Sequence, residues 1–154
     1  MKNTTTVPNG QDAIAQLVAD HQKVTGMFKA FEKLRSDADK AELAEEICKE
    51  LTVHMQLEEE IFYPAVQAAL HDHELVPEAN VEHGSVKDLI AQLEGARAGG
   101  DEYDAKVHVM GELIEHHVKE EETEMFPKAK KAGLDLVALG ARMAERRQEL
   151  MAAA

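Results

Sequence analysis

Two segments of this chain repeat one helical pattern, and the repeat constrains the fold more than any other feature. Residues 52–64 read TVHMQLEEEIFYP, and residues 115–127 read EHHVKEEETEMFP. Each segment carries a histidine, a glutamate four residues later and a proline six residues after the glutamate. Residues four apart lie on one face of a helix, so each histidine and its glutamate point the same way. The repeat predicts a duplicated helix pair.

A further histidine precedes each repeat. DHQKV at 20–24 aligns with EHGSV at 82–86, which matches His21 with His83. Counted from the predicted turns at a rise of about 1.5 Å per residue, these two histidines lie at the same depth as the two in the repeats. Four histidines and two glutamates are therefore expected at one level of the fold.

Apolar residues recur at spacings of three and four along most of the chain, which predicts amphipathic helices. The predicted helices cover 11–35, the stretch from the capping segment 36–39 to about 69, a stretch after a turn with Pro77, and a stretch that ends near Pro127. Four long helices with short connections predict an all-α fold, an antiparallel up-and-down four-helix bundle.

Three regions are expected along the chain. Residues 1–10 form a flexible N-terminal arm, residues 11–130 form the bundle, and residues 131–154 form a short C-terminal amphipathic helix and tail. The segment AGGD at 98–101 predicts a helix end at its glycines and a new N-cap at Asp101.

The charge balance limits the partners that the chain can attract. A formal net charge of −13 opposes nucleic acid and anionic membranes. The start of the chain has no apolar leader and no window is long enough for a membrane span, so a cytoplasmic location is expected. The single cysteine, Cys48, excludes an internal disulfide framework and a zinc site built from several cysteines.

Imidazoles and carboxylates that converge in a bundle interior need a cation, because an unpaired buried carboxylate carries a large desolvation cost. Nitrogen and oxygen donors together suit first-row metals, and iron in particular, better than calcium or magnesium. Four histidines, two bridging carboxylates and an oxide or hydroxide bridge would leave each of two ions with an open position.

This pattern resembles the hemerythrin family, specifically the hemerythrin-like HHE cation-binding domains, over roughly residues 11–130. The resemblance implies a non-haem di-iron centre in a four-helix bundle, in a family whose members carry or sense oxygen, respond to iron, or handle nitric oxide and peroxide. It also implies that two histidines bind each iron and that two glutamates bridge the irons. The implied metal ligands are His21 and His54 for one iron, His83 and His117 for the other, and the bridging Glu58 and Glu121.

Three further residues are candidates for the surroundings of the site. Oxygen-carrying hemerythrins have another histidine one turn after the third-helix ligand, and this chain has Lys87 there. The missing histidine argues against simple reversible oxygen carriage and implies a second open coordination site. Lys87 is expected to be solvated, or else to pair with a bridging glutamate or a bound anion. His116 is assigned to a flank, because His117 has the same spacing to its proline as His54 has. Tyr63 is expected to pack near the helix end or to line the pocket.

We therefore expect a non-haem di-iron protein with open coordination positions for O2, NO or peroxide, which binds its ligand rather than turning it over. The alternatives are an iron-sensing or iron-buffering module and a di-iron peroxidase or NO reductase. A ferritin-like bundle is disfavoured because its Glu-x-x-His pair does not occur in the chain. A homodimer or an unknown protein partner is expected to bind through the C-terminal helix, with no nucleic acid and no membrane as partners.

Overall fold

A computed structural model describes residues 11–154, so the predicted arm at 1–10 lies outside the described residues. The described part consists of helices and short connections, with seven α-helices and two short π-helical turns. The α-helices are α1 (Ala13–Lys33), α2 (Asp37–Leu57), α3 (Tyr63–Leu70), α4 (Leu75–Glu94), α5 (Asp101–Glu120), α6 (Phe126–Lys131) and α7 (Leu136–Ala153). The first π turn (Glu58–Phe62) joins α2 to α3, and the second π turn (Glu121–Met125) joins α5 to α6.

The long helices form a ring of four. Helix α1 packs against α2 and α5, and α4 packs against the same two helices. Because α2 runs without interruption into α3, and α5 into α6, the bundle has four long rods. The structure confirms the predicted all-α up-and-down bundle.

Some predicted helix ends differ from the observed ones. The third long helix begins at Leu75, before Pro77, because a proline is tolerated in the first turn of a helix. The fourth rod passes Pro127 and ends at Lys131. The prediction of Asp101 as an N-cap was wrong, since Gly100 is the N-cap and Asp101 is the first helical residue.

Two apolar clusters fill the bundle, one toward each end. One includes Phe62, Phe126 and Met143. The other includes Phe31, Leu51, Met110 and their neighbours. Both clusters contribute residues that lie beside the buried histidines. The buried histidines and glutamates therefore form a polar layer between the two apolar clusters.

The C-terminal helix α7 packs on α1 and α2. Leu139 and Met143 on its inner side are buried in the apolar cluster of this chain. Gly140 allows close approach, because a Cβ atom there would lie 2.9 Å from the backbone nitrogen of Ala13. No helix among residues 11–154 is both long enough and apolar enough to cross a membrane.

Candidate metal centre

Six ionisable side chains from four helical rods meet in the layer between the apolar clusters. Glu58 and Glu121 are 0% and 1% exposed, which is rare for carboxylates unless they are paired or bind an ion. The four histidines around them are also buried. These histidines are His21, His54, His83 and His117.

The six side chains divide into two overlapping groups, each able to hold one ion. In what we call the first donor group, one ligand atom from each residue lies within 4.8 Å of every other; its members are His21, His54, Glu58 and Glu121. The second donor group meets the same limit and consists of Glu58, His83 and His117. The structure thus places the histidines in the pairs that the sequence resemblance implies, with Glu58 common to both.

Several buried atoms in the first donor group make no hydrogen bond within the described part of the chain. They are His21 Nε2, His54 Nε2, Glu58 Oε2 and Glu121 Oε1. His21 Nε2 and Glu121 Oε1 are 3.0 Å apart, but not in hydrogen-bonding geometry. Buried polar atoms without partners are costly, and a cation among them would satisfy all four. The residues therefore fit a metal ion.

Each histidine is oriented by a carboxylate at its other nitrogen. The distances from Nδ1 to the carboxylate oxygen are 2.7 Å for His21 and Glu122, 2.9 Å for His54 and Asp20, 2.7 Å for His83 and Glu59, and 2.6 Å for His117 and Glu82. An ionised carboxylate only accepts hydrogen bonds, so Nδ1 carries the proton and donates it. The tautomer in which Nε2 is free to bind a metal is thereby favoured.

Sequence reasoning did not assign the four orienting carboxylates to individual histidines. An acidic residue directly precedes His21 and His83, and another directly follows Glu58 and Glu121. That adjacency was the available signal. It could not reveal the pairing, because each carboxylate orients a histidine on a different helix.

The buried carboxylates and histidines shift one another's pKa. Burial raises the pKa of Glu58, but the charge of His54 and hydrogen bonds from neighbouring groups outweigh burial and hold it well below 4.5. Burial lowers the pKa of His54, yet the charge of Glu58 and the hydrogen bond to Asp20 raise it to about 10. In the same way Glu121 raises the pKa of His117 to about 12. Without a metal these two histidines are therefore protonated at neutral pH.

Tyr63 reaches the centre of the site, although it is five residues from Glu58. In a regular α-helix, residues five apart point about 140° away from each other. The first π turn closes with a hydrogen bond from the Tyr63 N–H to the Glu58 carbonyl, which brings both side chains to one face. The Tyr63 hydroxyl lies 3.0 Å from Glu58 Oε1. Burial and the charges of Glu58 and Glu121 raise its pKa well above 10.

The prolines of the repeat explain why both π turns occur where they do. In an α-helix the residue at the Pro64 position would donate its N–H to the Glu60 carbonyl, but proline has no N–H and its ring would clash with that carbonyl. A widened turn just before the proline relieves the clash. Pro127 follows the second π turn in the same way.

The other two flanking candidates lie outside the donor groups. Lys87 is half-exposed, and its Nζ lies 2.8 Å from Glu59, so it contacts the site only through the carboxylate that orients His83. His116 is 65% exposed and pairs with Glu120 at 3.1 Å and Glu82 at 3.4 Å. Neither residue faces the buried layer.

A small cavity of about 20 Å³ adjoins the donor groups. All four histidines contribute to its wall, and the remainder is mainly apolar; the apolar part includes Val24, Leu51, Val86, Ile114 and Val118. One water-sized molecule needs roughly 10–15 Å³ of such volume. The cavity therefore has room for a molecule of very few atoms.

Comparisons with known proteins show the family to which the chain belongs. The hemerythrin HHE cation binding domain model matches residues 12–129. The uncharacterized protein Rv2633c of Mycobacterium tuberculosis is 29% identical over 111 residues, which are 70% of this chain and 67% of that protein. A Nostoc protein named DNA nickase is 28% identical over 118 residues, which are 77% of this chain; this chain covers only 32% of that protein.

A solved structure shares the fold. It is the crystal structure of a hemerythrin HHE cation binding domain-containing protein from Mycobacterium kansasii, described as an Rv2633c homolog. The TM-score is 0.80 at 24% identity, over 93% of this chain and 89% of that one.

Fold and site together define a class: four-helix bundles whose interior presents histidine and carboxylate donors to metal ions. The family match covers most of the chain and includes all six donor residues. This chain belongs to the hemerythrin HHE cation-binding domain family.

Proposed function

We propose that this protein binds a pair of iron ions at the two donor groups and binds O2, NO or peroxide beside them. The observation that carries the proposal is the cavity of about 20 Å³ against the histidine layer. Its size suits a ligand of two to four atoms. A pair of iron ions supplies reversible redox changes and open coordination positions for such a ligand.

The protein's own groups prepare the site in three ways. Asp20, Glu59, Glu82 and Glu122 fix the histidine tautomers, as their distances to Nδ1 indicate. The apolar clusters on either side exclude bulk water. The carboxylates of Glu58 and Glu121 balance the charge of bound cations in the interior.

Metal analysis together with the visible spectrum tests this proposal. Protein purified without added metal is expected to carry about two irons per chain, with absorption that changes on adding oxygen or azide. His54→Ala should lose iron, whereas His108→Ala is a matched control, because His108 is 65% exposed and lies outside both donor groups. Zinc or a single ion, with no visible bands, would contradict the proposal.

A second variant tests the cavity separately from the metals. Val118 is partly buried and lines the cavity, so Val118→Phe should fill it at modest cost to the fold. The variant is expected to retain both irons and to lose at least tenfold in azide affinity, while Val118→Ala should keep that affinity. Unchanged azide binding in Val118→Phe would place the ligand elsewhere.

An iron sensor or buffer is the second candidate function. The four buried atoms without partners favour it, because metal loss would leave them unsatisfied and weaken the bundle. A large fall in stability without metal, with no spectral response to oxygen, NO or azide, would select this candidate. Sustained turnover of peroxide or NO would instead indicate an enzyme.

We do not propose DNA cleavage for this chain. The name nickase belongs to a protein of which this chain covers 32%. The formal charge of −13 repels the phosphate backbone. For the same reason we propose neither nucleic acid nor an anionic membrane as a partner.

A further inference from the structure

The hydroxyl of Tyr63 lies among the side chains of the second donor group and beside Glu121 of the first donor group. Its oxygen is 2.5 Å from Glu121 Oε2 and 3.0 Å from Glu58 Oε1. It is also 3.2 Å from His83 Nε2 and 3.1 Å from His117 Nε2. Four metal-donor atoms thus surround one phenolic oxygen in a buried site.

Hydrogen bonding alone does not account for this arrangement. A hydroxyl has one proton to donate and two lone pairs to accept with, which is at most three bonds. Two of its four neighbours are carboxylate oxygens, and one proton cannot serve both fully. By contrast, donor atoms bound at about 2.1 Å in octahedral geometry around one ion lie about 3 Å from their neighbours. The observed separations match donors that share an ion.

We propose that Tyr63 is a ligand of the ion held by the second donor group, which makes the two metal positions chemically different. This inference rests on the proposed function. When the ion binds, the phenolic O–H bond breaks, its proton passes to bulk water and the oxygen forms a bond to the ion. No electron is transferred in this step.

The duplicated halves differ at the position of Tyr63. The counterpart of Tyr63 in the second repeat is Phe126, which has no hydroxyl to offer the first donor group. The Phe126 ring instead stacks on His21, with ring centroids 5.9 Å apart and an angle of 5° between the planes. Only the second position therefore gains an oxygen donor, and the open coordination position for an external ligand lies at the first donor group.

Tyr63 also compensates for the missing histidine at position 87. The sequence resemblance places a fifth histidine of oxygen carriers at that position, and its absence implies an open coordination site. Lys87 points to Glu59 instead. Tyr63 supplies the donor from the neighbouring rod.

The test uses the two tyrosines of the chain, Tyr63 and Tyr103. Tyr103 is buried at the far apolar cluster, so Tyr103→Phe removes the same hydroxyl group away from the site. Wild type, Tyr63→Phe and Tyr103→Phe are each stripped of metal and titrated with Zn²⁺, and the ultraviolet difference spectrum of tyrosinate is followed. Each is also loaded with Fe²⁺, oxidised in air and examined for tyrosinate-to-ferric charge transfer in the visible.

Wild type and Tyr103→Phe are expected to show both signals, and Tyr63→Phe neither. Tyr63→Phe should still bind the first ion and lose at least tenfold in affinity for the second. Tyr103→Phe contains a single tyrosine, so its signal identifies Tyr63 even if Tyr63→Phe fails to fold.

The same measurements distinguish a failure of the Tyr63 inference from a failure of the proposed function. If wild type and Tyr103→Phe bind two ions without a tyrosinate signal, the Tyr63 hydroxyl stays protonated and this inference is wrong, while the proposed function stands. If wild type binds fewer than two ions of either metal, the proposed function fails and the inference fails with it.

Discussion

At the scale of single residues, the orienting carboxylates decide how strongly the site holds metal. Each fixes one imidazole by a bond to Nδ1, and a loose imidazole would lose part of its binding energy to disorder. Glu122 is partly exposed, so it can be removed without opening the core.

Glu122→Ala is expected to lower metal affinity about 10- to 100-fold, because His21 loses its orienting partner. Glu124→Ala is the matched control, since Glu124 is exposed in the same π turn and is in neither donor group. Competition with a coloured chelator measures both affinities. Equal affinity for the two variants would show that Glu122 does not orient His21.

The raised pKa of His54 gives the metal-free protein a distinct pH dependence. Its folded pKa of about 10 exceeds the unfolded value of 6.5, so its stabilising contribution is complete below 6.5 and lost as pH rises through 10. The pKa of Glu58 is lowered below 4.5, so its stabilising contribution is complete above pH 4.5 and is lost as the pH falls below that value. We expect the Tm of the metal-free protein to fall by more than about 5 °C between neutral pH and pH 10, as followed by circular dichroism in chelator. A Tm that rises over this interval would contradict the assignment.

The six inward residues were predictable because the spacing of four and the depth count depend only on helix geometry. Tyr63 was harder to place, because a regular helix turns it away from Glu58 and only the π turn brings it back. The proline that ends each repeat was the available signal, but its effect on the helix depends on a steric clash that residue spacing alone does not reveal.

At the scale of helices, α7 is the element whose position the sequence did not determine. Its apolar stripe could cover a partner or this chain, and the structure shows that Leu139 and Met143 face this chain. Arg147 adds an ion pair to Asp20 at 2.8 Å, which links α7 to the carboxylate that orients His54. A homodimer or another protein partner bound through the outer side of α7 remains a prediction.

Gly140 and Gly26 offer a matched test of how closely α7 packs. Gly140→Ala places a Cβ 2.9 Å from backbone atoms at the start of α1 and should destabilise by about 1–3 kcal/mol. Gly26→Ala meets nothing within 4 Å inside α1 and should stabilise by about 0.5–1 kcal/mol. Urea unfolding measures both. Similar effects of the two substitutions would mean that α7 is not packed closely at Gly140.

At the scale of the whole molecule, the buried polar layer makes stability depend on metal. Ions bound only by the folded state stabilise it by RT ln(1 + [metal]/Kd) at each site, which is about 2.7 kcal/mol at a hundredfold excess over Kd. Loaded protein is therefore expected to melt several degrees above protein treated with chelator, with a smaller difference in His54→Ala. Identical melting curves for loaded and stripped wild type would show that the layer needs no ion.

The carboxylates that orient His21 and His83 have a consequence for how the site assembles. Glu122 in the second half of the chain orients His21 in the first half, and Glu59 in the first half orients His83 in the second. One helix pair alone would have to find a second copy to complete its ligands, in a reaction that slows with dilution. Joining the pairs makes that encounter intramolecular, so metal capture should be independent of protein concentration, even when the protein is scarce.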